Sequence, residues 1–279
     1  MIQTWKIPAS LSNVLLSLPL NGESLDEISK QIPDGAYTTF RTYQRYRVLG
    51  LSSHLARIEE TARLAGHPVQ ILWNHYRSRM REVIDTFPTE GELRLRLTLD
   101  LSVTVGDIYI CVEPLHVPTE QDYREGVSVI SKRLHRENPK AKLTRWIEIS
   151  REVRESIPAG THEAIMIGED GELLEGLSSN FFAVRNRELW TSEEGVLLGI
   201  TRKLVLDEAR KIGIRSHLQG VNVKDIGEIT EAFITSTSRG VLPVVKMDDE
   251  IIGNGDPGAI TQRLQMLYER RVTEELEDI

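Results

Sequence analysis

Residues 35–43 read GAYTTFRTY, a run of Thr, Tyr and Phe between polar neighbours that predicts a strand. Beyond it, Leu55, Ile58, Ala62 and Ala65 recur at helical spacing. That pattern predicts a helix capped by Ser52 or Ser53 and ended by Gly66. A second helix is expected over about residues 71–87, stopped by Pro88. Residues 92–99 (ELRLRLTL) alternate polar and apolar with period two, which predicts a half-buried strand with a basic polar face. Residues 108–112 (IYICV) form another apolar strand pattern.

Residues 114–124 (PLHVPTEQDYR) hold two prolines and few apolar positions, the pattern of a linker. After it, strands are expected at 126–133, 163–167, 181–185, 231–236 and 243–247, and helices at 144–155, 202–212 and 257–275. No internal repeat or low-complexity tract interrupts the pattern. The expectation is a mixed α/β protein with a smaller N-terminal domain over 1–116, a linker over 117–124 and a larger domain over 125–279.

The composition fits that picture. The chain has 279 residues, 40% hydrophobic and 27% charged, which suits a packed globular protein. Acidic residues outnumber basic ones by 42 to 34, for a net charge of −8. That balance argues against a nucleic-acid or anionic-membrane partner. The arginines are interspersed with Glu and Asp, as solvated helix faces are. The single cysteine, Cys111, lies in an apolar run and reads as a buried, inert thiol. The N-terminal residues lack a signal-peptide pattern, and no apolar run reaches the length of a membrane span, so a cytoplasmic location is expected. No metal site is read from the sequence.

Three segments of the second half pair a special backbone with polar side chains. In Leu174-Glu175-Gly176-Leu177-Ser178-Ser179-Asn180, a carboxylate at a strand end precedes a polar turn, and a buried Glu there needs a cationic or N–H partner. Leu198-Gly199-Ile200-Thr201-Arg202 opens a helix, with Thr201 as N-cap and backbone N–H groups suited to an anion. Thr235-Ser236-Thr237-Ser238-Arg239-Gly240 places hydroxyls, a guanidinium and a glycine after an apolar strand, a natural cup for phosphate or carboxylate. Each of them taken alone is also explained as an ordinary turn or capped helix.

Together the segments resemble the class IV, or fold-type IV, pyridoxal-phosphate enzymes. EGLSSNFF is similar to their E-G-x-x-S-N-x-F element, LGITR to G-I-T-R, and TSTSRGVLPV to their phosphate loop. Upstream, His54-Leu55-Ala56-Arg57-Ile58 resembles H-x-x-R-[LI], and the strand from Asp34 to Arg41 resembles D-G-x-[YF]-E-x-x-[RK]. The matches are colinear from residue 34 to residue 244. The resemblance implies two α/β domains with pyridoxal 5'-phosphate at the domain interface, and a homodimer.

The family's P-x-x-K-x-[TS]-x-[FWY] pattern falls on Pro139 to Trp146 and selects Lys142 for the Schiff base, with Lys140 as a surface residue. The resemblance gives Glu175 to the pyridine nitrogen. It gives Arg57, Ile200, Thr201 and Thr237, with Ser236 or Ser238, to the phosphate. Tyr37 would stand near the lysine and cofactor, and Leu197 beneath the ring, although a strand aromatic and a core leucine explain these two as well. The substrate carboxylate has four candidate partners: Arg41, Arg94, Arg96 and Arg239. Two departures leave the substrate open. Thr38 replaces the glutamate usual after the aromatic residue, and Arg239 departs from the Ala-Ala pair of branched-chain enzymes.

The leading expectation is transamination between an amino acid, of branched-chain or D-amino acid type, and a 2-oxo acid. The alternatives are a lyase releasing pyruvate from 4-amino-4-deoxychorismate and, from another class, a non-catalytic protein binding a phosphorylated ligand.

Overall fold

The computed structural model describes residues 2–11 and 14–279. The first elements are β1 (Gln3–Ile7), β2 (Leu16–Leu18), α1 (Leu25–Ser29), β3 (Gly35–Arg41), β4 (Arg47–Leu49) and α2 (Leu51–Leu64). Next come α3 (Trp73–Thr86), β5 (Leu93–Asp100), β6 (Ile108–Pro114), α4 (Glu120–Glu125), β7 (Val127–Arg133) and α5 (Arg145–Glu155). Then follow β8 (Glu163–Ile167), β9 (Leu173–Gly176), β10 (Asn180–Arg185), β11 (Glu188–Trp190), α6 (Ile200–Lys211) and β12 (Ser216–His217). The chain continues through β13 (Glu231–Ser236), β14 (Gly240–Met247), β15 (Glu250–Ile251), α7 (Ala259–Glu274) and β16 (Leu276–Asp278).

The chain divides into two compact units. The first holds residues 1–116, 141–151 and 275–279, and the second holds 117–140 and 152–274. The expected division, 1–116 and 125–279 joined by a linker over 117–124, would assign 141–151 and 275–279 to the second domain, whereas these stretches group with the first unit. The stretch read as a linker contains α4, where Thr119 and Asp122 form a reciprocal capping box.

The first unit is built on an antiparallel sheet in the order β2-β1-β6-β5-β3. Its core gathers Ile7, Phe40, Leu95 and Ile110 from the sheet with Leu55, Ile58, Met80 and Ile84 from α2 and α3. The expected half-buried strand at 92–99 is instead buried on both faces, with Arg96 only 3% exposed. Tyr37 and α1, whose Asp26, Leu25 carbonyl and Ser29 receive the Arg96 guanidinium, take up its polar face. Helix α2 is not capped by Ser52 or Ser53: its N-cap is Gly50, and the Ser52 backbone N–H donates to Glu277. Glu277 lies on β16, which pairs antiparallel with β4.

The second unit carries a larger mixed sheet in the order β12-β11-β10-β13-β14-β7-β8-β9. An additional pairing of β9 with β10 joins Glu175 to Asn180 and closes the inner strands on themselves. Val129, Ile165, Phe181, Ile234, Leu242 and Val244 belong to its core. Among the described residues no helix is long and apolar enough to cross a membrane.

Candidate active site

In the first unit, Lys142 is held by its main chain. Its carbonyl accepts the Tyr37 N–H at 2.9 Å, and its own N–H donates to the Thr61 hydroxyl at 3.2 Å. Adjacent residues extend the seam: Ala36 bridges Leu143, Thr144 N–H donates to the Gly35 carbonyl, and the Thr144 hydroxyl accepts the Gly35 N–H. The lysine Nζ then lies 4.7 Å from the Tyr37 ring centroid, a cation–π distance. Lys140 is different: its side chain is 57% exposed and faces Glu194.

Helix α2 presents His54, Arg57 and Thr61, spaced by three and four residues and so on neighbouring turns of one side. His54 is buried, with Nδ1 2.8 Å from the Thr38 hydroxyl. Burial first, then the charges of Arg57 and Lys142, push its pKa well below the usual imidazole value. It is therefore neutral at physiological pH. Thr38, where the family usually has glutamate, is what pairs with this imidazole.

Three of the four arginines proposed for a substrate carboxylate are in this unit. Arg41 stacks on Tyr43 at 4.5 Å, and Arg94 pairs with Glu113 at 2.9 Å. Arg96 pairs with Asp26 at 2.8 Å, bonds the Leu25 carbonyl and Ser29, and sits 5.3 Å from the Tyr37 centroid. A guanidinium bonded this way supports Tyr37 from within the fold.

In the second unit Glu175 is buried, and its carboxylate collects donors. Oε1 accepts Arg136 Nη1 at 3.1 Å, and Oε2 accepts the Leu197 N–H at 3.1 Å and Asn180 Nδ2 at 3.2 Å. Asn180 also donates to the Leu197 carbonyl at 2.7 Å, so Leu197 is gripped at both backbone atoms. The expectation that Glu175 needs a cation is met by Arg136. Nothing in the pattern of residues 134–139 marked that arginine, because its partner lies 39 positions away.

Helix α6 begins at Ile200, not at 202, and its N-cap is Gly199 rather than Thr201. Gly199 supplies no side-chain cap, which leaves Ile200 and Thr201 at an electropositive helix end. Gly199 is required here: a Cβ on it would stand 2.1 Å from Asn180 Oδ1. Ser236 ends β13 and pairs with Gly240 of β14, so Thr237, Ser238 and Arg239 form the tip of a tight hairpin. Arg239 pairs with buried Glu163 and donates to Ser178, Ser236 and His162. Burial alone would raise the Glu163 pKa, but Arg239 and the Ser178 and Ser179 hydroxyls hold it below the ordinary carboxylate value. Glu163 and His162 gave no motif in the sequence.

A lysine on a clamped loop, a cushioned carboxylate and an anion-ready helix end with a hydroxylated hairpin thus occur in one chain. The family described as Amino-transferase class IV matches residues 35–247. The chain belongs to the class IV aminotransferases. A solved structure of a putative branched-chain amino acid aminotransferase from Thermotoga maritima superposes on this class IV aminotransferase with a TM-score of 0.80 and 26% identity, covering 98% of this chain and 96% of the other. A D-alanine aminotransferase of Bacillus licheniformis is 26% identical over 90% of this chain and 92% of its own. An aminodeoxychorismate lyase of Bacillus subtilis is 23% identical over 85% of each.

Proposed function

We propose that the chain transfers an amino group between an amino acid, of branched-chain or D-amino acid type, and a 2-oxo acid, using pyridoxal 5'-phosphate held as a Schiff base on Lys142. The observation that carries this reading is the Lys142 clamp: both backbone polar groups are bonded, so the amine projects from a fixed point toward the Tyr37 ring.

The donor sets suit that cofactor. The buried Glu175 carboxylate matches a protonated ring nitrogen, and Arg136, Asn180 and the Leu197 N–H fix its orientation. In the second unit, the α6 N-terminus at Ile200 and Thr201 and the Ser236–Thr237 hydroxyls suit a phosphate dianion, the role the family resemblance gives to Arg57 as well. Bound pyridoxal phosphate supplies an electrophilic carbon for the amine and a ring that accepts negative charge.

Lys142 Nζ takes the proton from the α-carbon of the amino acid and returns it as the oxo acid forms. His54, its pKa lowered by burial and by the nearby charges of Arg57 and Lys142, adds no further positive charge on this side of α2. Arg41 and Arg94, both half-buried, are the arginines we assign to substrate carboxylates; Arg96 is assigned to Tyr37. We also infer a homodimer, by likeness to the family; sedimentation at twice the 31.7 kDa chain mass would support it, and a monomer at working concentration would refute it.

The test is the absorbance spectrum with pyridoxal phosphate, before and after single L- and D-amino acids, followed by borohydride reduction and peptide mapping. A visible band that amino acids convert, with the reduced label on Lys142, is the expected result. The amino acids that convert it name the substrate. Release of pyruvate from aminodeoxychorismate without an oxo-acid acceptor would favour the lyase, to which one relative points. Absence of any label would overturn the Schiff-base reading.

A further inference from the structure

Arg239 is bonded through every nitrogen it has. Nη1 reaches His162 Nε2 at 3.2 Å and Glu163 at 3.4 Å, and Nη2 donates to the Ser178 carbonyl and hydroxyl at 3.2 and 3.0 Å. Nε and the backbone N–H both donate to one atom, Ser236 Oγ, at 3.0 and 3.3 Å. The Arg239 carbonyl accepts the Tyr123 hydroxyl at 2.6 Å. Gly240, with φ of 67°, ends the turn, and a Cβ there would stand 2.9 Å from the Tyr268 ring. The turn is therefore fastened on all sides within its own unit.

The two bonds to Ser236 have a chemical consequence. A hydroxyl has two lone pairs and one proton. Arg239 occupies both lone-pair directions, so Ser236 has only its proton left to offer. A cation on the accepting side also polarises the O–H bond and strengthens what it donates. A phosphate oxygen is an acceptor only, so this arrangement selects for it. The Arg239 charge is meanwhile matched by Glu163, whose carboxylate stays ionised inside the fold. A guanidinium so neutralised and so bonded is poorly placed to clamp a substrate carboxylate.

We propose that Arg239 is a positioning residue for cofactor binding: it turns the Ser236 hydroxyl into a dedicated donor to the cofactor phosphate. This rests on the reading of the Ser236–Thr237 turn as phosphate-binding. It reassigns Arg239 from the substrate to the cofactor.

The test compares dissociation constants of pyridoxal phosphate and pyridoxal, which lacks the phosphate, for the cofactor-free protein. The variants are Ser236→Ala, Thr237→Ala, Arg239→Met and the Ser236→Ala/Arg239→Met pair. Arg239→Met should weaken pyridoxal phosphate roughly tenfold, the worth of one charge-assisted bond, and leave pyridoxal unchanged. The double variant should bind no more weakly than the weaker single one.

If Arg239→Met does not fold, Arg239→Lys keeps the charge beside Glu163 but lacks the Nε–H, and it should show the same selective loss. Equal weakening of both ligands, or losses that multiply in the double variant, would overturn the proposal. If Ser236→Ala and Thr237→Ala leave the phosphate preference intact, the phosphate assignment itself fails. If those two shift the preference and Arg239 variants do not, only the role of Arg239 falls.

Discussion

Tyr37 holds Lys142 at both ends: its N–H bonds the lysine carbonyl at 2.9 Å, and its ring underlies the lysine Nζ at 4.7 Å. Because β3 is an edge strand of the first sheet, its outer side is open to receive the 141–144 segment. The lysine is thus attached to a strand more than 100 residues earlier in sequence, which makes its position a property of the sheet rather than of a loop.

Lys142→Ala should lower turnover on the order of 10²–10⁴-fold or more, the contribution of a positioned general base, while Lys140→Ala stays near wild type. Steady-state rates of the two variants decide it. Similar rates in both would refute the assignment of Lys142.

Arg136→Met should destabilise the protein by about 3–5 kcal/mol, because the buried Glu175 carboxylate loses its cation. Pairing it with Glu175→Gln should recover much of that loss, since the uncompensated charge is gone. Urea unfolding measures both. Glu175→Gln alone should keep the cofactor bound and cut turnover severely, and normal turnover would contradict the role given to Glu175.

His54 sets a pH dependence of stability. Its folded pKa lies well below the 6.5 of a free imidazole, so on acidification the unfolded chain takes up a proton that the folded chain refuses. Stability should be unaffected by this group above that value. Below it, stability should fall by up to about 1.4 kcal/mol per pH unit until the folded pKa is reached. His54→Gln should flatten the slope between pH 6.5 and 5; an unchanged slope would sink the account.

Cys111 should resist alkylation at pH 8. Burial pushes its thiol up to about 11, against the smaller opposing effects of Thr4 and Arg96, so little thiolate exists and no reagent reaches it. Mass spectrometry should find it labelled only after unfolding, and fast labelling of the native protein would contradict this.

What the sequence disclosed follows from how local each signal was. The apolar runs at 163–167 and 231–236 and the amphipathic helix at 145–155 carry strong local signals, and their observed bounds fall within a residue of the expected ones. Strands β4 and β16 were missed because each is three residues long and has meaning only beside the other, more than 220 positions away. Arg96 read as part of a basic face because period two cannot tell water from a covering helix, and α1 covers it, whereas Arg94 stays partly exposed beside Glu113. In the same way Thr201 looked like a cap from its residue type, whereas the close approach of Asn180 puts Gly199 there. Lys142 and Glu175 were singled out by motif likeness. Arg136, Glu163 and His162 were not, since each gains its role from a partner far along the chain.

The first unit draws residues from three separate stretches, 1–116, 141–151 and 275–279. A ribosome that has delivered the first 116 residues has therefore not delivered the strand that pairs with β4 or the glutamate that meets α2. Translation order and folding order cannot coincide for this unit. A nascent chain would carry β4 unpaired and the Ser52 N–H without its Glu277 partner until residues 276–278 have emerged. The helix bearing Arg57 thus gains these contacts only after the hairpin that carries Ser236 has been synthesised.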